Sequence, residues 1–326
     1  MNVRRRHISA TVIATATALA LGSLSACSSD SSAADGTGGE LDVVASFYPL
    51  QFLAEEIGGD HVSVSTLTEP GQEPHDLEIS AKQTAQLQES DVALYLKGLQ
   101  PSVDEAIGQS EVRAKVDAAT LTTLEKHGNE VGGHAAEHDD EGDEHGHEDE
   151  DGSGLDPHIW LDPVKYAEVA EGVGKAFEKA DPDNAATYKK NTAALVKKLD
   201  GLDTRFEDGL RNTKTKVFVT THAAFGYLAE RYGLTEEAIN GLDPESEPSA
   251  NRVKDLEKMA KADGVSTVFY ETLVSDKTAK TIAADADLRT DVLDPIEGIT
   301  EKSRGDDYIQ VMDANLKALQ TALGAK

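Results

Sequence analysis

Short apolar runs rich in β-branched residues alternate along this chain with stretches of helical spacing. That alternation restricts the fold to α/β units built on mostly parallel sheets. Strands are expected at 41–47 (LDVVASF), 62–68, 91–96 (DVALYL), 216–221 (KVFVTT), 265–270 (VSTVFY) and 292–293. Helices are expected at 49–57, at 80–89 with Ser80 as N-cap, at 223–232 ending near Gly233, at 248–262 opened by Pro248, at 278–286 and at 308–323. Between the two groups, Asp181 and Pro182 open a long amphipathic helix. Tyr188, Leu195, Leu199, Leu202, Phe206 and Leu210 share its apolar face, and Thr192 is the one polar member of the stripe. The reading is two α/β lobes, at 41–180 and 213–326, each a mostly parallel sheet flanked by helices, joined by one long helix at 181–212. A length of 326 residues suits two such bodies.

The first 27 residues follow a different logic. Arg4, Arg5 and Arg6 are followed by an apolar stretch to Leu21, and Leu24-Ser25-Ala26-Cys27 sets small residues before the single cysteine. This order reads as an export signal over 1–26. Its end resembles a bacterial lipobox, which implies lipid attachment at Cys27 and an extracytoplasmic protein anchored to a bacterial membrane. Residues 27–40, mostly Ser, Gly, Ala and Asp, make a flexible tether. One cysteine excludes an internal disulfide framework and a multi-cysteine zinc site, so any metal must use histidine and carboxylate. A formal net charge of −29 argues against nucleic acid as a partner and makes cations the natural ligand class.

Residues 130–151 interrupt the α/β pattern with eleven Asp or Glu, the histidines His134, His138, His145 and His147, and no Lys or Arg. No apolar period runs through them, so a mobile loop is expected at 127–153, with His127 just before the acidic run. Four histidines among acids point to an auxiliary, multi-site metal trap. Outside this loop His75, His158 and His222 each sit where a loop meets regular structure. In open α/β sheets ligands bind beyond the carboxyl ends of strands, so three such imidazoles are candidates to converge on a cation. Asp294, in Leu293-Asp294-Pro295, ends another strand and is the candidate carboxylate. His61 precedes a strand and reads as a surface residue.

The segments Glu73-Pro74-His75-Asp76, Asp156-Pro157-His158-Ile159-Trp160-Leu161-Asp162-Pro163, Thr221-His222-Ala223-Ala224-Phe225-Gly226-Tyr227-Leu228, Pro248-Ser249 before a helix, Phe269-Tyr270-Glu271 and Leu293-Asp294-Pro295 together resemble the zinc/manganese solute-binding proteins of bacterial ABC importers. The acidic, His-rich loop is similar to that of the zinc-specific branch. The resemblance implies metal held between the lobes by His75 and His158 from the first and His222 and Asp294 from the second, with Glu297 or Glu271 as alternatives for the fourth place. It also implies an ABC permease and its ATPase as partners, and a monomer that performs no catalysis.

Three neutral imidazoles and one carboxylate suit four-coordinate Zn²⁺, whereas Mn²⁺ prefers more oxygen. Asp76 and Asp162 lie near ligands in sequence and either orient an imidazole or cap and face water. Three other functions compete: a manganese-binding homologue, a surface adhesin or metal buffer, and a zinc hydrolase. The hydrolase lacks a His-Glu-x-x-His helix.

Overall fold

Residues 39–128, 130–131, 154–246 and 248–325 are described in this computed structural model. The export signal, Cys27, His134, His138, His145, His147 and most of the acidic loop lie outside the described residues. Residues 39–326 form one contact unit carrying two sheets.

The first half runs β1 (Leu41–Ala45), α1 (Tyr48–Gly58), β2 (Val62–Thr66), α2 (Ala81–Glu89), β3 (Val92–Tyr95), α3 (Pro101–Gln109) and β4 (Ala114–Asp117). Its sheet is parallel throughout, in the order β2-β1-β3-β4, with Val43 in register with Val64 on one side and Val92 on the other. A parallel strand inside a sheet is covered on both faces, and β1 accordingly buries four of its five residues. Ser80 caps α2 as expected: its hydroxyl accepts from the Gln83 N–H, and the Gln83 side chain reaches back to complete a capping box. The short α3 and the edge strand β4 have weak periodicity and were not anticipated.

The chain then passes through β5 (Glu130–Val131), α4 (Pro163–Ala180) and α5 (Ala185–Leu210). The acidic stretch therefore opens in a two-residue strand, not in a loop as expected. Asp162 caps α4 through Val164 N–H, with Pro163 in its first turn. The long helix starts later than its sequence suggests, because Pro182–Asn184 form a 3₁₀ turn. Asp181 makes no backbone cap; its carboxylate accepts instead from Asn184 Nδ2 at 2.8 Å and Tyr188 OH at 2.6 Å. All seven stripe residues, Thr192 included, are buried. The Thr192 hydroxyl donates to the Tyr188 carbonyl one turn back, and its small side chain faces Gly174 of α4. A Cβ on Gly174 would sit 2.3 Å from Thr192 Oγ1, so the close approach of the two helices requires glycine there.

The second half runs β6 (Val217–Thr220), α6 (Gly226–Arg231), β7 (Thr235–Ala238), α7 (Ala250–Ala262), β8 (Thr267–Tyr270), α8 (Lys277–Ala286), β9 (Arg289–Val292) and α9 (Tyr308–Leu323). The sheet order is β5-β7-β6-β8-β9, with only β5 antiparallel. Pro248 lies before α7 rather than at its first helical position, and Ser249 caps the helix by accepting from Arg252 N–H. Strand β7 escaped the sequence reading because TEEA looks polar, yet all four residues are buried. Its acids have partners: Glu236 accepts from Thr220 Oγ1 at 2.7 Å, and Glu237 pairs with Arg252 at 3.0 Å.

One hydrophobic core runs through β1, α1, α4, α5, α6 and α9, and so serves both halves. Smaller clusters cover the opposite faces, under α2 and α3 in the first sheet and under α7 and α8 in the second. Polar bridges fix the two halves to each other. Trp160 Nε1 donates to the Pro295 carbonyl at 2.7 Å, and Tyr308 OH donates to the Trp160 carbonyl at 2.5 Å. Truncating a fully buried stripe residue such as Leu199 to Ala would cost about 2–5 kcal/mol.

Candidate metal centre

Four connections meet where the strands end. His75 lies in the loop after β2, His158 precedes the 3₁₀ turn Ile159–Leu161, His222 follows β6, and Glu297 follows β9. One ligand atom from each lies within 4.8 Å of all the others. The Nε2 atoms of His75, His158 and His222 stand 3.2, 3.5 and 3.7 Å from the same atom, Glu297 Oε1. His158 and Glu297 are fully buried, His222 is 2% exposed, and the His75 side chain reaches the surface with 11%.

The backs of two rings are held. Asp156 Oδ1 accepts from His158 Nδ1 at 2.7 Å and from the His158 backbone N–H at 2.9 Å. Glu271 Oε1 lies 2.8 Å from His222 Nδ1. With Nδ1–H donated to a carboxylate, each ring presents the lone pair of Nε2 to the centre. His158 Nε2, His222 Nε2 and Glu297 Oε2 are buried with no hydrogen-bond partner among the described residues. Buried polar atoms are rarely left so, and a cation at their focus accounts for all three.

The same neighbours set which of these groups hold protons when no cation is counted. Burial alone would raise the Glu297 pKa, but His158, His75 and His222 outweigh it and hold the carboxyl well below the usual range. Burial opposes charge on His158, yet Asp156 and Glu297 raise its pKa to about 10. His222 is raised as well, Glu271 outweighing burial. Glu73, beside His75, is pushed up to about 7 by burial and then by the charge of Glu297.

Asp294 lies outside this group. Its Oδ1 accepts from Ile296 N–H at 2.8 Å and its Oδ2 from Thr272 Oγ1 at 3.0 Å. Asn315 clasps its backbone from α9, at 2.9 and 2.7 Å. Ile296 is a buried β-branched residue with φ of +61°. That left-handed conformation is strained for such a side chain and persists only where its surroundings impose it. Asp294 and the Trp160 bond to Pro295 impose it here, and the turn delivers Glu297 to the histidines.

Asp162 turns away from the histidines to cap α4 and pair with Arg231 at 2.6 Å. Asp76 is exposed, and its backbone N–H donates to Glu73 Oε2. The orienting carboxylates are Asp156, two residues before His158, and Glu271. Only the Asp-x-His spacing of Asp156 signalled it in the sequence. His61 is half-buried, 6.3 Å edge-on from Tyr188.

His127 belongs to a second group. Its Nδ1 lies 2.7 Å from Asp156 Oδ2 and its Nε2 lies 3.1 Å from Glu230 Oε2, with Glu125 near enough for all three to share an ion. Here the two ends of the acidic loop are pinned together. Asp156 N–H donates to the Glu125 carbonyl at 2.9 Å. Tyr227 OH accepts from Glu125 N–H and donates to the Asp156 carbonyl, each at 2.8 Å.

Comparison with known proteins gives this geometry its context. Residues 43–322 match the family described as ZnuA, zinc-uptake complex component A, periplasmic. The zinc-binding lipoprotein AdcA of Streptococcus pneumoniae is 36% identical over 288 residues, 86% of this chain but 56% of that protein. This chain thus spans little more than half the length of that relative. The high-affinity zinc uptake system protein ZnuA of Bacillus subtilis is 34% identical over 311 residues, 92% of each chain. The crystal structure of the Zn(II)-bound ZnuA-like domain of S. pneumoniae AdcA superposes with a TM-score of 0.70 at 33% identity, covering 87% of this chain and 99% of that one. With the match running through nearly all the described residues, the chain belongs to the family of zinc-uptake complex component A.

Proposed function

We propose that this chain is an extracytoplasmic zinc receptor: it captures one Zn²⁺ in the cleft with His75, His158, His222 and Glu297 and delivers it to an ABC-importer permease. The observation that carries the reading is the convergence of three Nε2 atoms on one buried carboxylate oxygen. Three nitrogens and one oxygen complete a tetrahedral zinc shell from the protein alone. Such a shell leaves no position for an activated water, which disfavours a hydrolase. Glu297 takes the fourth place and Asp294 braces the turn that carries it. A single carboxylate among three imidazoles is too poor in oxygen to favour Mn²⁺.

Export and lipid attachment at Cys27 complete the proposal, supported by the order of residues at the start of the chain and by the lipoprotein name of a relative. Among the described residues no helix is long and apolar enough to cross a membrane.

The test is zinc content and affinity of residues 39–326, unsubstituted and with His75→Ala, His158→Ala, His222→Ala, Glu297→Ala and Asp294→Asn. The first four lose the tight zinc, and Asp294→Asn keeps one equivalent. Tight zinc surviving all four alanine variants would overturn the site. Protons compete with zinc for the imidazoles, so affinity falls as pH drops from 7 to 5. Equal affinity at the two values would count against histidine ligation.

A further inference from the structure

The Asp156 carboxylate is used on both sides. One oxygen accepts from His158 Nδ1 and the other lies against His127 Nδ1, each at 2.7 Å, and the side chain is fully buried. The same device that turns His158 Nε2 toward the cleft therefore turns His127 Nε2 the opposite way, toward Glu230 and Glu125. We propose that Glu125, His127 and Glu230 form a second, weaker divalent-cation site at the base of the acidic loop, coupled to the cleft by the carboxylate of Asp156.

The chemistry fits a borderline cation such as Zn²⁺. One imidazole and two carboxylates bring ligand atoms within 4.8 Å of one another, and water completes the shell. The His127 side chain is 93% buried against the fold, its ring edge-on to Tyr227 at 4.5 Å and packed on Gly226, where a Cβ would lie 2.6 Å from it. The ring is thus fixed before any ion arrives. Lys165 holds Glu125 Oε1 at 2.8 Å and competes as a local cation. Glu230 is 56% exposed, so water also competes. Both features make this site weaker than the buried one. A carboxylate that orients a ligating imidazole typically contributes about 10–100-fold to affinity, and here one carboxylate serves two imidazoles. The coupling rests on His158 being a cleft ligand; the second site does not.

The experiment uses residues 39–326 with His134, His138, His145 and His147 replaced by serine, so that no loop histidine supplies a stray equivalent. Titration with zinc chloride is expected to give two equivalents, one tight and one at least about 100-fold weaker. Glu230→Gln, an exposed change that leaves the fold intact, and His127→Gln each remove the weak equivalent and leave the tight Kd within about threefold, well below the cost expected for an orienting group. Asp156→Asn weakens both equivalents, whereas Glu271→Gln weakens only the tight one. A single equivalent in the parent protein, or a second one that survives both Glu230→Gln and His127→Gln, would overturn the second site. Asp156→Asn acting on the tight equivalent alone would overturn the coupling. Loss of the tight equivalent in the parent would count against the cleft reading, with the weak equivalent still read separately.

Discussion

The cleft and the base of the acidic loop are built from the same residue types, yet their lone pairs are spent differently. In the cleft, His158 Nε2, His222 Nε2 and Glu297 Oε2 are buried with no hydrogen-bond partner among the described residues. At the loop base both ring nitrogens of His127 already face carboxylates, and one of those carboxylates is mostly in water. A cation entering the cleft would displace the His75 contact to Glu297 but also give partners to three buried atoms that have none. A cation at the loop base would displace the Glu230 contact of His127 and give no unpartnered buried atom a partner. The comparison separates residue type, which the two groups share, from burial and prior partners, in which they differ.

The largest effect that tests this contrast is His222→Ala. Structural zinc sites bind with about 10–16 kcal/mol overall, so by that scale one of four donors is worth roughly 3 kcal/mol, on the order of 100-fold. Isothermal titration should show that loss, and a change below tenfold would erase the distinction between the two groups. Next comes Glu271→Gln, which leaves the four converging side chains in place but removes the negative charge behind His222. About 10–100-fold weaker zinc binding is expected, and an unchanged Kd would mean that packing alone orients the ring.

A smaller effect concerns two buried carboxyls with opposite fates. Glu297 is held anionic by three imidazoles, while Glu236 has a hydroxyl partner and is pushed by burial up to about 7. A carboxyl with a raised folded pKa binds more protons folded than unfolded between the unfolded value, about 4.5, and 7. Its contribution is therefore present at low pH and is lost as pH rises through 7. Glu236→Gln should raise Tm at pH 8 by a few °C relative to its effect at pH 5. Equal shifts at both pH values would show that Glu236 stays charged in the fold.

Much of this was legible in the sequence where a local rule decides the outcome. The helix at 308–323 has the expected bounds, and Ser80 caps as its position implies. The placement of His75, His158 and His222 at strand–loop junctions also led to residues that do meet. Features set by tertiary contacts were harder to read. Asp294 and Glu297 are both acids after a strand, and only the Ile296 backbone and the Thr272 and Asn315 bonds separate the brace from the group facing the histidines. Strand β7 was hidden because its glutamates are buried only through Thr220 and Arg252, residues distant in sequence. Asp181 departs from the expected N-cap because a tyrosine hydroxyl two turns along the chain claims its carboxylate.

The clasp of Glu125, Asp156 and Tyr227 makes the stretch it closes off a graft point. Its two ends are tied within hydrogen-bond reach whatever chain is spliced between them. Lengthening that splice costs only the slow logarithm of loop closure, about 0.6 kcal/mol per doubling. The histidine content of the stretch can therefore be rewritten by insertion or deletion as an independent module.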